Sequence, residues 1–161
     1  MKTTVVALAA VLCSCATIGR PPAEITPISG AGWEGVIFSA DYDRKTFFKY
    51  CRSDLWTPTR AQVLRFEKEF PGYLRRRKQS FLSVLPTRKR QYIGMADEAR
   101  RPFMNVALLC GDDSEWKNRP AFAADGGDCN CRARFDPASS QVTSFGCAGY
   151  ARSRREIARS R

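Results

Sequence analysis

Histidine is absent from the 161 residues of this chain. With it go the commonest general base near neutral pH and the imidazole that most often binds metals. Histidine-based triads, histidine-ligated zinc and histidine-ligated haem are therefore excluded. No glycine-rich phosphate loop or Gly-x-Ser-x-Gly elbow is present, and no Cys-x-x-Cys. Acidic residues are few, 16 against 27 basic, which leaves a net charge of +11. Long apolar runs are missing too. Thr3 to Leu12 is only about ten residues, half of what a helix needs to cross a bilayer.

What is present suffices for one domain. Hydrophobic residues make up 43% and aromatics 11%, enough to build a core and too many for a disordered polymer. No internal repeat is visible.

The N-terminus reads as an export leader. Met1-Lys2 is a minimal basic start and Thr3 to Leu12 a short apolar segment. Leu12-Cys13-Ser14-Cys15 follows and resembles the lipobox of bacterial lipoproteins, in which the final cysteine is acylated and becomes the new N-terminus. Cys13 departs from the small residue usual in its slot. The resemblance implies a signal peptide over 1–14 and lipidation of Cys15. With Ala16 next, it also implies sorting to the periplasmic face of an outer membrane. A soluble secretory leader cut near Ala16 is the alternative. Loss of the leader removes only Lys2, leaving a charge of about +10. Residues 15–32, rich in Pro, Gly, Ser and Thr, read as a flexible tether, 33–150 as one domain, and 151–161 as a basic disordered tail.

Export changes how the cysteines are read, because thiols oxidise outside the cytoplasm. Cys51, Cys110, Cys129, Cys131 and Cys147 remain beside the lipidated one. Five allow two internal disulfides and one leftover thiol. Cys129 and Cys131 are too close for an easy mutual bridge, and on a strand they share a face. If 129–148 is a hairpin, Cys147 lies opposite Cys129 or Cys131. A metal or redox role is the weaker reading in this compartment.

Along the domain, Trp33 to Phe38 looks like a small strand and Thr46 to Cys51 like an apolar piece covering the core. Thr57 and Pro58 suit a helix start. Val63, Phe66, Phe70, Tyr73 and Leu74 then recur at helical spacing to about Arg77, with Glu67 and Glu69 on other faces and a kink or a break into two segments expected at Pro71-Gly72. Arg90 to Met95 and Pro102 to Cys110 read as one hairpin, and Cys129 to Phe135 with Gln141 to Ala148 as another. The expected fold is α+β: one long N-terminal helix packed on a curved antiparallel sheet of two hairpins, with a small leading strand. That element order looks like the cystatin-like or nuclear-transport-factor-like roll.

Several spaced residues carry a further likeness: Trp56-x-Pro58, Arg90-Gln91-Tyr92-Ile93-Gly94, Trp116, Asp125-Gly126-Gly127-Asp128-Cys129, and Gly146 to Ala151. Together they resemble a group of small bacterial lipoproteins and secreted domains over roughly Trp56 to Ala151. The group brings an address and a fold but no chemistry.

No cofactor pattern is visible. Asp125 and Asp128, with Asp112 and Asp113, read as turn residues rather than a calcium loop. The basic runs Arg75-Arg76-Arg77-Lys78 and Arg88-Lys89-Arg90 are candidate contacts to anionic lipid or cell-wall polymer; Arg100-Arg101 and the tail are also basic. Nucleic acid is set aside because the chain is exported. The expected role is a lipid-anchored envelope protein that binds or supports rather than catalyses. One alternative is an inhibitor- or immunity-type protein using Trp116 as an exposed anchor. The other is a carboxylate-dependent envelope hydrolase with two facing acids.

Overall fold

The computed structural model describes residues 25–42, 54–111, 114–121 and 127–148. Cys15, Cys51, the 46–51 segment, Asp112, Asp113, Asp125 and the basic tail lie outside them.

The strands are β1 (Ile25–Gly30), β2 (Trp33–Phe38), β3 (Leu55–Trp56), β4 (Lys89–Ala96), β5 (Pro102–Leu109), β6 (Gly127–Asp136) and β7 (Gln141–Ala148), and the helix α1 is Arg60–Arg76. They form one seven-stranded sheet ordered β1-β2-β4-β5-β6-β7, with β3 also pairing β4. This corrects the expected architecture. The helix does not lead the domain but sits mid-chain, after three strands, and the sheet is mixed, because β2 runs parallel to β4 with Glu34 opposite Lys89 and Phe38 opposite Ile93. The two expected hairpins, β4–β5 and β6–β7, form within this larger sheet. The expected tether is shortened as well. Ile25–Gly30 pairs along the whole of β2 and buries Ile28.

The centre of the sheet follows from composition. In β5, Met104, Val106 and Leu108 point to one face; Phe103, Asn105, Ala107 and Leu109 point to the other, so the strand is apolar on both sides and takes an interior position. In register with it, Cys131, Ala133 and Phe135 of β6 continue the first face. The helix covers that face with Val63, Phe66, Phe70 and Leu74, all fully buried. Phe66 stacks on Phe70 at 4.8 Å and meets Phe135 edge-on at 5.8 Å. Each such buried ring contributes about 1.5–3 kcal/mol. The opposite face holds a smaller core of Val36, Phe38, Ile93, Met95 and Trp116. Its covering segment, 114–121, is fixed by Gln91, whose side-chain amide donates to the Trp116 carbonyl (2.5 Å) and the Arg119 carbonyl (2.7 Å) and whose oxygen accepts from the Ala121 N–H (2.7 Å).

The helix begins later than expected. Thr59, not Thr57, is the cap: its hydroxyl accepts from the Gln62 N–H while the Gln62 side chain accepts from the Thr59 N–H, a reciprocal capping box. The helix also runs unbroken through Pro71 to Arg76. It ends where Gln79 N–H returns to the Leu74 carbonyl and Lys78 N–H to that of Arg75, with Lys78 at φ 51°. This is the usual left-handed helix stop, made here by a residue other than glycine.

Gly94 of β4 allows β3 to approach. A Cβ at that position would overlap the Trp56 carbonyl oxygen and indole ring, and Trp56 also donates its ring N–H to the Met95 carbonyl (2.9 Å). Gly94→Ala is expected to lower stability by about 1–3 kcal/mol through forced displacement of backbone, measurable by urea denaturation; an unchanged midpoint would contradict this packing.

Candidate functional site

The four described cysteines are paired. Cys131 of β6 is bonded to Cys147 of β7, its directly opposed neighbour, and Cys110 at the end of β5 is bonded to Cys129. Both bridges tie neighbouring strands, and the Cys131–Cys147 bridge is one of the two expected from the hairpin.

The candidate basic contacts divide sharply. Arg75, Arg76, Arg77 and Lys78 are exposed at the end of α1, where cations complement the helix dipole. Arg88 and Arg90 are buried and Lys89 is half-buried in an ion pair, so the expectation of one basic surface run is corrected. Strand alternation turns Arg88 and Arg90 towards the helix side and Lys89 to the other. Arg88 is buried against the Cys110 sulfur, with its guanidinium 5.3 Å from the Phe81 ring centroid. Lys89 pairs with Glu34 and lies 5.8 Å from the Trp116 ring. Arg90 is 2% exposed and bonds the Glu67 carboxylate (3.0 Å) and the carbonyls of Arg88 (2.6 Å) and Leu85 (3.2 Å), with Trp33 stacked at 5.3 Å.

Glu67 faces inward beside the apolar residues, contrary to the expectation that it lies on another face. It also accepts from the Tyr92 hydroxyl at 2.8 Å. Burial pushes its carboxyl above the ordinary carboxylate range, against the opposing pull of Arg90, and burial with the adjacent Glu67 raises the Tyr92 phenol well above its ordinary value. The cluster is satisfied within the protein and buried, so it holds α1 to β4 rather than presenting chemistry to solvent.

A concavity of about 450 Å³ opens beside the β4–β5 turn, lined by Asp97, Arg101, Phe103, Arg134, Asp136 and Thr143 among others. The turn positions Asp97, whose carboxylate accepts from the Arg101 backbone N–H (2.9 Å) and pairs with its guanidinium (2.8 Å). Across the pocket, Asp136 starts the β6–β7 turn and accepts from the Ala138 N–H (2.8 Å) and the Ser139 hydroxyl (2.6 Å). These bonds hold both carboxyls below their ordinary values: for Asp97 mainly the bond from the Arg101 backbone, for Asp136 mainly the bond from Ser139. Arg134 lies over the Phe103 ring at 3.7 Å, a contact that orients the guanidinium.

The pocket was not among the sequence candidates. Its one sequence signal is Arg134 itself, an arginine on the polar side of an alternating strand. One other expectation changes. Trp116 is 7% exposed and belongs to the second core, so it is not an exposed anchor. The spacing Ser114-x-x-Lys117 matches a serine–lysine nucleophile pattern, but Lys117 is directed to Glu34 (3.6 Å) and the Trp116 ring. Among the described residues, no three cysteines or carboxylates gather closely enough to share a metal ion, and no helix is long and apolar enough to cross a membrane.

No protein-family model matches this chain, no curated protein is significantly similar to it in sequence, and no solved structure is significantly similar to it.

Proposed function

We propose that the chain is an exported lipoprotein, acylated at Cys15 and held at the periplasmic face of an outer membrane, where its domain binds or supports anionic envelope material. The observation that carries this is the partition of the cysteines. Four are joined in two cross-strand disulfides, which persist in oxidising compartments, and Cys15 stands at the end of a short apolar leader in a lipobox-like run. The exposed group Arg75, Arg76, Arg77 and Lys78 supplies local positive charge for anionic lipid or cell-wall polymer rather than for nucleic acid.

The alternatives have less support. An inhibitor-type role loses its anchor with Trp116 in the core. A carboxylate-dependent hydrolase needs one acid held protonated near neutral pH, and both pocket acids are shifted the other way.

Intact mass of the protein extracted from the membrane fraction, before and after reduction and alkylation, tests the proposal. The expected species starts at an acylated Cys15 and reveals the four disulfide thiols only on reduction, while Cys15→Ala appears in the soluble fraction. An unacylated mass, or alkylation of Cys110, Cys129, Cys131 and Cys147 without reduction, would overturn it.

A further inference from the structure

The concavity beside the β4–β5 turn carries four charged side chains, and they are not equivalent. Asp97 and Arg101 neutralise one another through a short ion pair. Arg134 and Asp136 are left as separately held, opposite charges. The Arg134 guanidinium carbon lies 3.7 Å from the Phe103 ring centroid, and among the described residues no ion pair or side-chain hydrogen bond holds its N–H groups. Asp136 accepts one bond on each oxygen from its own turn, and each carboxylate oxygen has a second lone pair to offer. Its lowered pKa keeps it ionised at neutral pH. Phe103, Pro102 and Ala138 supply apolar wall, and the volume of about 450 Å³ falls in the range of small-molecule sites.

A simple anion would satisfy Arg134 and face Asp136 unfavourably; a simple cation would do the reverse. A ligand with both charges a few ångströms apart satisfies both. We infer that this concavity binds the unsubstituted α-amino acid group, with its carboxylate paired to Arg134, its ammonium to Asp136 and its side chain against Phe103 and Pro102. A planar carboxylate matches the guanidinium fork bidentately. Free amino acids offer this group, and so does the free end of a diamino acid in a cell-wall peptide. The inference is independent of the lipid anchor, since it concerns the folded domain in any compartment.

The test is titration of the purified full chain, disulfides intact, with alanine, meso-diaminopimelic acid, N-acetylalanine and alaninamide, followed by amide NMR shifts at Phe103, Arg134 and Thr143. At least one zwitterion is expected to bind, with the acetylated and amidated compounds at least ten-fold weaker. Tighter binding of diaminopimelic acid than of alanine assigns the cell-wall source; equal or weaker binding assigns the free amino acid. Arg134→Gln and Asp136→Asn, the latter keeping an oxygen for the turn, are each expected to weaken binding at least ten-fold with unchanged circular dichroism, while Lys68→Gln, at an exposed position of the helix, leaves it unaltered. Absence of shifts at 10 mM of either zwitterion (on the order of the weakest useful affinity), or equal binding of N-acetylalanine, would overturn the inference.

Discussion

Arg90→Met is expected to lower stability by about 3–5 kcal/mol at neutral pH, since removing one partner of a buried ion pair strands the other charge. Arg90 and Glu67 have 2% and 8% side-chain exposure, so little water can take over the lost contact. The pH dependence identifies the cause. Burial already raises the Glu67 pKa above its ordinary 4.5 while Arg90 opposes the shift; without Arg90 it rises further. A carboxyl whose folded pKa is raised contributes stability that is fully present below its unfolded pKa and lost as pH rises through the folded one. The Arg90→Met deficit is therefore expected to shrink on acidification towards about pH 4.5, where Glu67 becomes neutral. Glu67→Gln strands the arginine instead, and a guanidinium cannot shed its proton. Its deficit should be of similar size but shrink rather than grow as pH rises, because only wild type then carries the raised Glu67 pKa. Urea unfolding of the three proteins at pH 4.5 and 7.5, disulfides intact, measures both slopes. Parallel deficits would place the effect in lost packing of Arg90 against Trp33 rather than in charge.

That cluster also shows where sequence reading runs out. Arg88-Lys89-Arg90 reads as a basic surface run because charged residues are seldom buried. Only the pairing of β4 with its neighbours reveals that two of the three point under the helix. The pairing itself is not local: Glu34 meets Lys89 across 55 positions, and nothing in either segment encodes a parallel partner. The β4–β5 and β6–β7 hairpins were legible because alternation and turn residues lie close together in the chain, and with them came the Cys131–Cys147 bridge. Strand β1 was not, since Thr26, Pro27, Ser29 and Gly30 have linker composition and only Ile28 is buried. At Pro71 the proline rule alone predicts a kink or a break; the apolar residues on either side of it, Phe70 and Leu74, are both buried in the helix-side core and the helix continues. The Arg134–Phe103 site was illegible for the same reason as the parallel pair, because β5–β6 register alone brings those residues together.

The disulfides give the second large effect. Each bridge closes a loop of similar size, with sequence separations of 16 for Cys131–Cys147 and 19 for Cys110–Cys129. Restriction of the unfolded chain predicts about 3 kcal/mol from either, and a fall in Tm on the order of 10 °C when Cys131 and Cys147 are both replaced by alanine. Their environments differ far more than their loop lengths. Cys131 is fully buried in the helix-side core, whereas Cys129 is exposed at the end of the sheet. A reductant can reach an exposed sulfur in the native protein but needs an opening event to reach a buried one. Under native conditions the Cys110–Cys129 bridge is therefore expected to be reduced first. Cys131–Cys147 should follow only at the rate of unfolding and accelerate with added urea. Timed reduction, alkylation and peptide mass mapping gives the order directly. Reduction of both bridges at one rate, independent of urea, would mean that the β6–β7 hairpin opens freely, and the cost of removing Cys131–Cys147 would then fall well below 3 kcal/mol.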